Sequence, residues 1–80
     1  MGSAKSEEEW GARASAFLKA ELKKADVTYV ELAKRLKKHG FKEESESTIT
    51  MKLKRAAFSA SFLLACLAAL ELEGVHLANI

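Results

Sequence analysis

Proline is absent from this 80-residue chain, cysteine and tryptophan occur once each, and histidine twice. Without proline nothing interrupts a helical run from within. The lone cysteine, Cys66, has no partner for an internal disulfide. Together with the lack of a secretory-signal pattern, it leads us to expect a protein of a reducing compartment, the cytoplasm. The two histidines, His39 and His76, lie far apart and show no Cys–His spacing of the kind that holds zinc. The longest apolar run, Phe62 to Leu70, is nine residues, and a membrane span needs ~20, so this run reads as a buried helix. No Ser/His/Asp grouping and no glycine-rich phosphate loop occurs. The expectation is a chain that is not an enzyme, with no cofactor, no metal, no small-molecule substrate and no membrane.

What is present favours helix. Hydrophobic residues make up 49% of the chain, and many are Ala and Leu, which lose little entropy on entering a helix. A domain this small buries only ~60–65% of its unfolded surface, so its helices must pack tightly or pair with a second copy. The net charge of +2 is unevenly spread. Residues 13–42 carry nine basic and three acidic side chains, and residues 47–60 carry three basic and none acidic. Residues 61–80 carry only Glu71 and Glu73. One face should therefore be electropositive, although a merely solvated lysine-rich surface gives the same count.

Apolar spacing predicts four helices. In the first, from Glu8 to Ala25, Trp10, Ala14, Phe17, Leu18, Leu22 and Ala25 recur at steps of three and four. Trp10 reads as a core or interface anchor in register with Phe17. Thr28 and Glu31 have the spacing of a capping box that opens the second helix, with Val27 and Leu32 as its staple. Tyr29, Leu32, Ala33 and Leu36 form its buried stripe. Gly40 ends it with a left-handed turn that lets Phe41 fold back on Leu36. Ser45 should cap the third helix, which runs to near Ala57, with Ile49, Leu53 and Ala56 inward. Its opposite face carries Ser47, Thr48, Met51, Lys54 and Arg55, with Lys52 on the shoulder. Ser59 caps a fourth helix that is apolar almost all round, from Phe62 to Leu72, and therefore central or partly in a subunit seam. Val75-His76-Leu77 alternates and should form a short extended tail packed on the first helix or on another chain. Cys66 and the serines at 45, 47, 59 and 61 are explained by burial and capping rather than nucleophilic chemistry.

The stretch from Phe17 to Ala25 (FLKAELKKA), followed by Val27-Thr28-Tyr29-Val30-Glu31-Leu32-Ala33, resembles the opening of lambda-repressor-like helix-turn-helix domains. Ser47-Thr48-Ile49 is similar to the start of their third helix, and Phe58 to Leu70 to the helix closing their core. The resemblance covers residues 12–72. The whole chain more closely resembles a family of short bacterial domains of unknown function that share its FLKAEL, VTYxELAxxL and FSxxFLxxCLxAL pattern.

These likenesses imply an all-α fold, a four- to five-helix lambda-repressor-like helix-turn-helix bundle with a short C-terminal extended tail. The expected division is a flexible leader at 1–7, the helix-turn-helix domain at 8–73 and the tail at 74–80. In the repressor-like class the second helix crosses the DNA backbone and the third lies in the major groove. Carried over, Ser47, Thr48 and Met51 would face base edges, and Lys52, Lys54 and Arg55 would face phosphates or a guanine. Thr28 and Tyr29 would lie near the backbone, with Lys34 or Lys38 in support.

Double-stranded DNA is thus the expected partner of a small bacterial transcriptional regulator. It would act as a homodimer through the fourth helix and tail, on half-sites ~34 Å apart. Two features point elsewhere. The Gly40–Ser45 connection exceeds the usual turn of three to four residues. Glu43, Glu44 and Glu46 stand where they would repel phosphate. The alternative is a protein-interaction or regulatory module on the same fold that binds no DNA.

Overall fold

A computed structural model describes residues 6–80; the greater part of the expected leader, residues 1–5, lies outside the described residues. Among the described residues the chain is all-helical, with four α-helices and no strand: α1 (Glu7–Ala25), α2 (Tyr29–Lys37), α3 (Glu46–Arg55) and α4 (Ala60–Ala69). A short 3₁₀ turn, Leu77–Asn79, follows them. Glu7, placed in the expected leader, is the first residue of α1, and Ser6 caps it. The Ser6 hydroxyl accepts a hydrogen bond from Glu9 N at 3.1 Å and thereby starts the helix. Glu7, Glu8 and Glu9 then occupy the turn where the helix dipole favours acid.

Every α-helix start is fixed by a side chain taking up a free backbone N–H. Thr28 accepts from Glu31 N at 3.1 Å, and Ser59 from Phe62 N at 3.0 Å. At α3, Ser45 accepts from Thr48 N while Thr48 accepts from Ser45 N, so the reciprocal box forms there. The Glu31 carboxylate expected to complete a box at α2 instead accepts from Arg35 Nε at 3.0 Å. Arg35 also donates to the Ala69 carbonyl oxygen at 3.0 Å, placing a cation on the C-terminal end of α4.

α1 ends at Ala25 as the apolar spacing predicts, and the other three helices end slightly earlier than expected. α2 stops at Lys37, and Gly40, at φ +90°, turns the chain so that Phe41 N reaches the Leu36 carbonyl at 3.0 Å. The Phe41 ring meets Phe62 edge-on, with centroids 6.2 Å apart. α3 stops at Arg55, with Ala56 left-handed at φ 54°. α4 stops at Ala69, three residues short of Leu72, and Glu71 takes φ 60°.

The core gathers Leu18, Leu22, Val27, Leu32, Ala33, Leu36, Ile49, Leu53, Phe62, Cys66, Leu67 and Ala69. α2 packs on both α3 and α4, and α1 packs on α3. The expected inward stripe of α1 needs correction. Only Leu18 and Leu22 of it are buried, Ala14 and Phe17 are half-buried, and Trp10 and Ala25 are exposed. The third buried residue of α1 is a polar one. Ser15 Oγ donates to the Leu53 carbonyl oxygen at 2.6 Å, satisfying both groups where α1 meets the last turn of α3. One turn earlier, Gly11 lies so close to Ala56 that a Cβ there would overlap the Ala56 carbonyl oxygen.

The tail runs against α1, extended up to His76 and then turning as the 3₁₀ helix Leu77–Asn79 rather than staying extended throughout. Leu72, Val75, His76 and Ile80 face Arg13, Phe17 and Ala20 of α1 across a shallow cleft, and Arg13 donates to the Ile80 carbonyl at 3.4 Å. No helix among the described residues is long and apolar enough to cross a membrane.

Candidate functional site

α3 turns Ile49 and Leu53 inward, which leaves its other side to solvent. Ser47, Thr48, Met51, Lys52 and Arg55 together line one open depression along that side. Five residues expected from their position on the helical wheel are thus brought together. Met51 is 52% exposed, and Ser47, Lys54 and Arg55 are exposed as well. Lys54 lies on the same helix outside the depression. Neither Lys54 nor Arg55 forms an ion pair among the described residues.

Two of the five have their polar atoms engaged internally. Thr48 Oγ1 accepts from Ser45 N at 2.8 Å and lies 2.7 Å from Glu44 Oε1, to which it donates, so its methyl group is the part left for outside contact. The Lys52 ammonium, expected to face outward, pairs with Glu44 Oε2 and sits 4.5 Å from the centroid of the Phe62 ring. Glu44 is 8% exposed. Expected as one of three acids repelling phosphate, it is instead a neutralised group beneath the surface, whereas Glu43 and Glu46 remain exposed.

The expected α2 residues stand apart from this depression. Thr28 is exposed but its hydroxyl caps α2, and Tyr29 is half-buried against the core. Lys34 and Lys38 are exposed without an ion pair among the described residues.

A second surface forms around Trp10, read from the sequence as a core or interface anchor. Trp10, 38% exposed, lies on an open groove of ≈ 950 Å³ between the first turns of α1, the end of α3 and the start of α4. Phe58 and Leu63 supply its apolar wall, Glu7 and Glu8 its acidic edge, and Arg55 belongs to both this groove and the α3 depression. Of that reading the core half does not hold, since the indole is exposed at the groove.

Cys66 is fully buried, and burial, reinforced by the Glu44 charge and opposed by Lys52, pushes its thiol up to about 12. Such a thiol stays protonated and unreactive near neutrality. No group of three or more His, Cys, Asp or Glu side chains among the described residues is placed to hold a metal ion.

Comparison with known proteins places the chain without assigning it an activity. No curated protein and no solved structure matches it. Residues 10–75 match the family model described as "Domain of unknown function (DUF6471)". That segment takes in most of α1, all of α2, α3 and α4, the α3 depression and the Trp10 groove apart from its acidic edge, and the chain belongs to this family of domains of unknown function.

Proposed function

We propose that α2 and α3 act as a helix-turn-helix of the lambda-repressor-like kind and that the chain is a small DNA-binding transcriptional regulator. The observation that supports this most is the outward side of α3. It presents short polar and flexible apolar side chains, Ser47 and Met51, beside Lys54 and Arg55, two cations without an ion pair among the described residues. Base edges are read by polar or bidentate side chains and by apolar contact with thymine methyls, and phosphates are held by cations. With Glu43 and Glu46 exposed at the start of α3, the reading assigns contacts chiefly to its second and third turns, Met51, Lys54 and Arg55. Lys34 and Lys38 on α2 would add phosphate contacts. A homodimer would use the most exposed large apolar side chains, Leu64 on α4 and Leu77 in the tail, 64% and 63% exposed.

Titration of a labelled pool of short duplexes at rising salt tests the proposal. Affinity should fall linearly on a log–log plot, because each neutralised phosphate releases counterion. Saturation should come at two chains per duplex. One chain per duplex would remove the homodimer, and no binding at low salt would remove DNA binding altogether. The second reading, a protein-interaction module, is favoured by the Trp10 groove. It predicts that the duplex does not bind while a substitution on the groove leaves the fold intact.

A further inference from the structure

We infer that Glu44 is a positioning residue that withdraws Lys52 from the DNA-facing charge of α3, an inference that rests on the DNA-binding reading above. Both carboxylate oxygens of Glu44 are engaged, Oε1 by the Thr48 hydroxyl and Oε2 by the Lys52 ammonium. The ammonium is held a second time by the face of Phe62, a ring 1% exposed in the core, at 4.5 Å from its centroid. A cation held between a buried carboxylate and an aromatic face is already partnered on two sides, and moving it to a phosphate would leave Glu44 buried without its counter-charge.

The clamp also joins two segments. Glu44 belongs to the connection after α2, while Thr48 and Lys52 lie one and two turns into α3, so the same three side chains hold that connection against the helix. Two cations of α3, Lys54 and Arg55, are then left to meet phosphate. Lys52, the third by sequence, instead sets the placement of the connection.

Salt dependence separates the clamp from a direct contact. Each phosphate contact contributes about 0.9 to the slope of log affinity against log salt, roughly a threefold change in affinity per fourfold change in salt. The double variant Glu44→Gln with Lys52→Met removes both charges and leaves neither partner charged and alone. It should keep the wild-type slope, while Arg55→Gln should lose about 0.9. Glu44→Gln alone frees the ammonium and should steepen the slope by up to about 0.9. A purely structural Glu44 would change stability and leave the slope unmoved.

A double variant that loses as much slope as Arg55→Gln would overturn the inference while leaving DNA binding in place. A wild-type chain that binds no duplex at low salt would overturn both. If Glu44→Gln fails to fold, the comparison of the double variant with Arg55→Gln decides alone. Unfolding equilibria of the two single variants and the double should also show coupling of at least about twofold between Glu44 and Lys52, and strict additivity would overturn the clamp.

Discussion

α3 and α4 are each ten residues long, and each begins on a serine whose hydroxyl accepts a backbone N–H, yet they serve opposite ends. α3 carries Glu46, Lys52, Lys54 and Arg55 and buries only Ile49 and Leu53. α4 carries no charged residue and buries Phe62, Cys66, Leu67 and Ala69. The cap decides where a helix starts, and the distribution of charge decides which way it faces. A helix with charge on three sides of its wheel can give the core only one stripe, so α3 presents a surface while α4 supplies the interior.

That contrast sets the expected size of perturbations. Phe62→Ala should be the most damaging, costing about 3–5 kcal/mol, because the ring is the shared partner of Phe41, Phe58 and Lys52. Arg55→Glu, on the exposed side of α3, should stay within about 0.5 kcal/mol of wild type. Urea denaturation of the two variants measures both, and equal losses would erase the distinction between the helices.

Gly11→Ala should come next, at about 1–3 kcal/mol, because the new methyl group must push α1 away from the end of α3. A thermal midpoint unchanged in this variant would mean that the two helices do not approach as described.

The last effect, absent at neutral pH, concerns the thiol within α4. Cys66 is pushed up to about 12, against ~8.5 for an unfolded cysteine. The unfolded chain therefore releases this proton first, and the stability contributed by the neutral thiol is complete below about pH 8.5 and declines above it. Stability measured from pH 8 to 10 should fall less steeply in Cys66→Ala than in wild type, and parallel curves would contradict the burial of the thiol.

Local chemistry was the legible part of the chain. Thr28, Ser45 and Ser59 cap where their spacing predicts, Gly40 turns as expected, and the outward side of α3 follows from the wheel. The features that escaped depend on what a distant segment brings. Ser15 interrupts an apolar stripe, and its burial makes sense only once the Leu53 carbonyl arrives from 38 residues away. Glu44 sits among other acids, and only the fold sets it beneath α3 against Lys52. Trp10 keeps helical register with the core, but α1 meets α3 through the close approach at Gly11 and leaves the indole beside an open groove. Periodicity identifies a helix face but not where along the helix its neighbour ends.

The central claim, that the outward side of α3 meets DNA, is tested most directly by binding of one labelled duplex pool to wild type and to Lys54→Glu with Arg55→Glu. The account predicts salt-sensitive binding by wild type and its loss in the charge-reversed variant, with the helical content and unfolding midpoint of the two kept the same. Equal binding by both proteins, or no binding by wild type at low salt, would contradict it.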